Sequence, residues 1–223
     1  MNDTETKNTA VKAPALMSTR PVTAQDALDQ CEKLSPMMVH YCQTKTGLTD
    51  PANTILFYRL GDFYEMFFED ATLVSKELEL TLTGKDCGME ERAPMCGIPY
   101  HAAEGYINRL VENGHKVAIC EQMEDPKQAK GMVKREVIRV VTPGTTLIPQ
   151  GLDETKNNYI MSIVCMEGCF GISTADISTG QCLVTEMDKP RRLVDEITKF
   201  MPAEIICNQS FLLCGIDVED LRT

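Results

Sequence analysis

No apolar run in the 223 residues approaches the roughly 18 to 20 positions needed to cross a bilayer, so no transmembrane helix is expected. The N-terminus has no basic segment leading into an apolar core, so no secretory signal is read there and the chain is placed in the cytoplasm. Gly-x-x-x-x-Gly-Lys-Ser/Thr, Gly-x-Ser-x-Gly and His-Glu-x-x-His are all missing, which removes the P-loop, the nucleophile elbow and the zincin helix. Histidine is scarce (His40, His101 and His115 only), and the nearest approach to a Cys-x-x-Cys pair is Cys165-x-x-x-Cys169. The ten cysteines are therefore read mostly as small buried hydrophobes, Cys120 and Cys207 among them, rather than as disulfides or zinc ligands. Tyr100-His101 has no nucleophile partner, so His101 reads as a cap or turn residue.

Positive charge is also short, with 22 Lys and Arg against 33 Asp and Glu and a net charge of −11. Strong phosphate affinity is not built into such a chain, and if it binds DNA the electrostatic grip comes from other parts of a larger protein. The deficit is uneven. Lys127, Lys130, Lys134, Arg135 and Arg139 stand against Glu136 alone, a stretch suited either to phosphates or to water. Residues 146–223 carry the largest acidic excess. Hydrophobic content of 43% and charged content of 25% suit one large globular domain or two modest ones.

Along the chain, residues 1–33 read as a leader, largely disordered, with a short helix from Ala24 capped by Thr23 and bearing Ala27, Leu28 and Cys31 on one face. Ser35-Pro36 opens a helix through Thr44. Ile55-Leu56-Phe57-Tyr58 is a strand entering a turn at Gly61-Asp62. Phe67, Phe68, Ala71, Val74 and Leu78 form a helical stripe, with Glu69, Asp70, Lys76 and Glu77 outside. Residues 83–94 read as a polar loop. A helix from Ala102 carries Ala103, Tyr106, Ile107, Leu110 and Val111 on one face and stops at Gly114. His115–Met123 and Val133–Val141 are core strands, separated by a short segment from Pro126. Residues 34–145 thus form a mixed α/β domain. Pro143-Gly144, Pro149 and Gly151 mark a linker, taken as 146–158. Three strands follow (Tyr159–Glu167, Cys169–Asp176, Gln181–Glu186), then a helix from Pro190 with Leu193, Val194, Ile197, Phe200 and Met201, then a strand at Ala203–Cys207. That order resembles the front half of an RNase H-like fold, and the chain is expected to be truncated before the fold closes.

The most informative stretch is Gly61-Asp-Phe-Tyr-Glu-Met-Phe67. As a core strand, Phe63, Glu65 and Phe67 would share one face and Tyr64 and Met66 the other, which buries a carboxylate between two phenylalanines. As an exposed Phe-x-Glu, it aims an apolar wedge and a hydrogen-bonding group at one target, the means by which minor-groove proteins kink DNA.

Leu34-Ser-Pro-Met-Met38, Leu56-Phe-Tyr-Arg-Leu-Gly-Asp-Phe-Tyr-Glu-Met-Phe67, Pro94-Met-Cys-Gly-Ile-Pro-Tyr-His101, Val117-Ala-Ile-Cys-Glu-Gln122 and Arg139-Val-Val-Thr-Pro-Gly-Thr145 occur in that order. Together they closely resemble the N-terminal mismatch-recognition domain of the MutS family of DNA mismatch-repair proteins. The resemblance implies a mixed-sheet α/β mismatch-recognition domain followed by a partial RNase H-like α/β connector domain at 159–223. It implies that Phe63 stacks on a mispaired base and that Glu65 hydrogen-bonds that base; in the negative potential of flanking phosphates that carboxyl is expected to be protonated and to donate. Lys85 and the Pro94-Met95 turn would lie near the DNA backbone, although Gly84 and Asp86 flank Lys85 where relatives often carry a second basic residue. Tyr64 either places the wedge or packs, and Arg59 and Arg109 read as structural or solvated. Implied partners are mismatched double-stranded DNA, a second copy of the full-length protein and a MutL-type repair protein. ATP and Mg belong to the family's C-terminal ATPase, so no cofactor, metal or catalytic residue is assigned here. Relatives that do not recognise mismatches generally lack the Phe–Glu pair. Two alternatives stand beside this reading: a protein-interaction module, strongest for residues 146–223, and an RNase H-like nuclease in residues 159–223 using Asp176 with Asp188, Asp195 and Glu196.

Overall fold

Thr54-Ile-Leu-Phe-Tyr-Arg-Leu60 is apolar on both alternating faces through Tyr58, a pattern that belongs at the centre of a sheet. In the computed structural model, which describes residues 23–30, 33–89, 91–124, 131–146 and 157–216, this segment is β1 (Thr54–Leu60). It pairs in parallel with β5 (Lys116–Gln122) and antiparallel with β2 (Phe63–Phe67). With β3 (Thr83–Lys85), β4 (Ala93–Pro99) and β6 (Arg135–Val141) they form a mixed sheet in the order β3-β4-β2-β1-β5-β6. The expectations for residues 1–20, for the segment from Pro126 and for most of the 146–158 linker fall outside the described residues.

Two helices cover each face of this sheet. On one, α3 (Phe68–Glu77) and α4 (Ala103–Glu112) bury Ala71, Val74, Leu78, Ile107, Leu110 and Val111 against Ile55, Phe57, Tyr64 and Met66. On the other, α1 (Ala24–Gln30) and α2 (Pro36–Thr46) pack Ala24, Ala27, Met38, Tyr41 and Cys42 against Leu56, Tyr58 and Phe67. Local chemistry starts these helices where the sequence predicts. The Ser35 hydroxyl accepts the Met38 N–H at 3.4 Å ahead of Pro36. Thr23 and Asp26 cap each other's backbone N–H groups, both at 3.1 Å.

The stripe read from Phe67 to Leu78 is split between the two cores. Phe67 ends β2, and Phe68 opens α3 in the left-handed region at φ 53°, a conformation that a bulky residue holds only when its surroundings over-determine it. Both rings fall beside Tyr41, with centroids 4.8 and 6.4 Å away, while Ala71, Val74 and Leu78 face the opposite layer. Asp70, expected outside, is buried. Its carboxylate lies 2.6 Å from Lys45 Nζ and accepts the Leu56 N–H at 2.8 Å. The β1–β2 ladder ends at Tyr58↔Glu65, so Asp70 supplies the acceptor that β2 no longer offers Leu56. Lys45 also donates to the Thr54 carbonyl at 2.7 Å.

Residues 83–94, expected as a loop, instead contribute β3 and the start of β4. Pro94 sits opposite Gly84 inside β4 rather than in a turn, and is tolerated because the last β2–β4 rung is Phe67↔Met95, one step short of it. The turn between β3 and β4 docks on the entry to α2, where the Ser35 N–H donates to the Cys87 carbonyl at 2.9 Å. Gly88 there has φ +92°, and a Cβ would stand 1.9 Å from the Lys33 carbonyl oxygen. Gly88→Ala is therefore expected to cost about 1–3 kcal/mol of stability, measurable as a lower urea midpoint.

The second sheet follows its predicted order. The strands β7 (Tyr159–Met166), β8 (Cys169–Asp176) and β9 (Gln181–Met187) are antiparallel, and β10 (Glu204–Cys207) adds in parallel to β7 after α5 (Pro190–Phe200). α6 (Gln209–Leu212) closes the described part. The α5 stripe is narrower than read: Leu193 and Ile197 are buried, whereas Val194 and Met201 are exposed. The two sheets meet where Glu204 accepts from the Thr142 hydroxyl at 2.5 Å and the Gly144 N–H at 3.2 Å.

Candidate nucleic-acid interface

Leu60 and Phe63 are the last rung of the β1–β2 hairpin, so Gly61-Asp62 is a two-residue turn. Gly61 takes φ +59°, the positive value that a II′-type turn needs at its first central position and that glycine adopts freely. Side chains and backbone from three neighbours brace this turn. Arg59 Nε donates to the Gly61 carbonyl at 2.5 Å, and the Gly61 N–H donates to Gln122 Oε1 at 3.3 Å. The Tyr100 N–H donates to the Asp62 carbonyl at 2.9 Å, and the Arg59 guanidinium lies 3.5 Å from the Tyr100 ring centroid.

Phe63 leaves this braced turn 46% exposed, whereas Phe67, four residues on along the same face, is 0% exposed. The α1–α2 layer covers Phe67 and stops short of Phe63. The face therefore grades from solvent to core, with Glu65 at the boundary. That gradient resolves the awkward alternation read from sequence. Lys85, on edge strand β3, reaches Glu65 with Nζ 2.6 Å from Oε2, the side chains being 32% and 18% exposed. Opposite Glu65 in β4 is Gly97, where a Cβ would stand 3.5 Å from Glu65 Cγ and 4.0 Å from Phe63 Cδ1. Position 97 thus keeps a gap beside both side chains.

Tyr64 points into the other layer and is buried. Its hydroxyl donates to Glu121, and burial together with that carboxylate raises its pKa well above the ordinary phenol value. Met95 pairs across from Phe67, and Pro94 lies beside Gly84 on the β3–β4 arm. The described residues of the basic stretch do not share one role. Arg135 turns inward, with Nε 2.7 Å from the Arg59 carbonyl and its guanidinium 5.2 Å from the Tyr58 ring centroid. Lys134 pairs with Glu136 at 2.6 Å, Arg139 is exposed, and Lys127 and Lys130 lie outside the described residues. Arg109 is exposed on α4, and His101 is exposed in the 3₁₀ turn Tyr100–Ala102 before α4.

Asp176 serves its own turn. Its Oδ1 accepts from the Ser178 N–H at 2.8 Å and hydroxyl at 2.6 Å and from the Thr179 N–H at 3.3 Å. The Ser178 hydroxyl bond, with the backbone donors, holds its carboxyl below the ordinary range despite burial. Among the described residues no three His, Cys, Asp or Glu side chains converge to hold a metal ion. No described helix is long and apolar enough to cross a membrane.

Comparison with known families covers both sheets. Residues 35–149 match the model of MutS domain I, and residues 158–215 match that of MutS domain II. This chain belongs to the MutS family. The DNA mismatch repair protein MutS of Lachnoclostridium phytofermentans is 65% identical over 190 residues, covering 85% of this chain and 20% of that protein. The MutS proteins of Acetivibrio thermocellus and Clostridium tetani are 56% and 55% identical, over 80% and 79% of this chain. The chain spans about a fifth of the length of these curated relatives. The domain I match takes in the whole six-stranded sheet with Phe63, Glu65 and Lys85, and the domain II match takes in β7 to α6. In this MutS frame, Arg59, Gly97 and Gln122 lie around the hairpin without having been read as part of a site. Arg59 has a local signal, two positions before Gly61, whereas Gly97 and Gln122 reach the hairpin only through strand register.

Proposed function

We propose that this chain is the mismatch-sensing part of a DNA mismatch-repair protein, in which Phe63 wedges into mispaired or looped duplex DNA from the minor groove and Glu65 hydrogen-bonds the mispaired base. The observation that carries this reading is the half-exposed Phe63 on a braced turn, on the same face as Glu65, inside the region that matches MutS domain I. A rigid turn suits a wedge, because a side chain already fixed in place loses less entropy on insertion. Discrimination follows from deformability: a mispair is poorly stacked, so prising it open costs less than unstacking a paired step. Lys85 reaches Glu65 from β3, Pro94 and Met95 lie further along the β3–β4 arm, opposite Gly84 and Phe67, where they would approach the DNA backbone, and Tyr64 supports β2 from the core side. The homodimer, the MutL-type partner and the ATPase with its Mg²⁺ belong to the full-length protein on the same family reading.

The net charge of −11 makes a second expectation specific. In the full-length protein that contains this chain, G·T heteroduplex should bind on the order of tenfold or more tighter than matched duplex at one fixed salt concentration, as measured by fluorescence anisotropy. Equal affinities for the two duplexes would remove the mismatch-sensing assignment.

A further inference from the structure

Glu65 carries its own counter-charge. Lys85 Nζ lies 2.6 Å from Oε2 and 5.6 Å from the centroid of the fully buried Phe67 ring. Among the described residues on neighbouring strands, Tyr58 faces this carboxylate from β1, Gly97 faces it from β4, and Lys85 reaches it from β3. Phe63, two residues earlier on the same face, places whatever stacks on its ring within reach of Glu65. A duplex seated there brings phosphates, and an uncompensated carboxylate beside them is repelled.

We propose that Lys85 is the positioning residue for Glu65: it stays paired with that carboxylate in the DNA complex, so that Glu65 meets the base as an ionised acceptor with its charge offset. The inference rests on Glu65 being the base reader. Three features favour retention of the pair over transfer of Lys85 to a phosphate. The Lys85 side chain is two-thirds covered, its strand is tied to β4 through Thr83↔Met95, Gly84↔Pro94 and Lys85↔Ala93, and its departure leaves a mostly buried carboxylate unpaired. A carboxylate has about four lone-pair sites, so the ion pair leaves capacity for a base N–H. The ligand chemistry that follows is a mispair presenting an unsatisfied imino or amino N–H, in place of the neutral, donating acid expected from the sequence.

The test is a double-mutant cycle in the full-length protein, using wild type, Lys85→Met, Glu65→Gln and the double variant against G·T heteroduplex and matched duplex at one salt concentration. Lys85→Met should weaken heteroduplex binding on the order of tenfold in the wild-type background and less than about twofold beside Glu65→Gln. Lys85→Arg should restore most of the loss, and an unchanged circular-dichroism spectrum of each variant verifies folding. An equal loss in both backgrounds, or no loss in either, overturns the role of Lys85 while leaving the wedge intact. If wild type shows no heteroduplex preference, the reader itself is gone and this role with it.

Discussion

Phe63→Ala in the full-length protein is expected to erase the preference for G·T heteroduplex over matched duplex while leaving matched-duplex binding almost unchanged. The ring is 46% exposed and stands at the end of a hairpin whose turn is held by Arg59, Gln122 and Tyr100, so its removal opens no cavity. The loss in folding stability should stay within about 0.5 kcal/mol, the usual range for surface substitutions. Binding is affected differently. An aromatic wedge that replaces lost base stacking is worth about 1–3 kcal/mol per base, so the heteroduplex preference should fall on the order of tenfold to a hundredfold. On the proposed wedge role, matched duplex should give Phe63 nothing to enter, and phosphate contacts should carry most of its binding. Paired titrations of wild type and Phe63→Ala at one salt concentration read this ratio. An unchanged ratio assigns Phe63 to no part of recognition and moves the chain towards an interaction module.

Lys45→Met should produce the largest loss of stability. Lys45 and Asp70 form an ion pair with side chains only 2% and 4% exposed, tied to β1 through the Thr54 carbonyl and the Leu56 N–H. Removing the ammonium leaves a buried carboxylate uncompensated, at a cost of about 3–5 kcal/mol. Adding Asp70→Leu should recover only part of that, because the Leu56 N–H then lacks an acceptor, a penalty of about 1–3 kcal/mol. The pH dependence has a definite sign. Burial raises the Asp70 carboxyl from its ordinary 3.8 to about 6, against the opposing pull of Lys45 and the Leu56 N–H. A pKa raised by folding gives stability that is complete below the unfolded value and is lost as pH climbs through the folded one. Without Lys45 that loss extends further up the scale. The deficit of Lys45→Met should therefore be smallest near pH 4 and largest at neutral pH, as measured by urea unfolding of the chain at several pH values.

The contrast between these two sites is a contrast in legibility. Phe63 and Glu65 are two positions apart and carry an unusual pairing of ring and carboxylate, so local sequence singles them out. Lys45 and Asp70 are separated by 25 positions, and each looks like an ordinary helix-surface charge until the layers are assembled. The β3–β4 arm was hidden for another reason. Its polar residues and two prolines contradict strand propensity, and only ladder bonds to β2 hold it extended. The split of Phe67 and Phe68 from the α3 stripe likewise required knowing that the chain changes layers at that point.

By itself the sequence determined the α/β class of both halves, the principal helices, β1, β5 and the whole order of the second sheet. It also determined the hairpin turn at Gly61-Asp62 and the residues resembling MutS. These are short-range properties, set by periodicity, caps and glycine conformations within a few residues. Tertiary structure alone decided that the α1–α2 layer stops short of Phe63, that Lys85 crosses to Glu65, and that Asp70 and Arg135 turn inward. Each depends on which strands become neighbours and in what register. Register brings together residues far apart in the chain, and a solvent-facing residue in one pairing becomes an ion-pair partner in another.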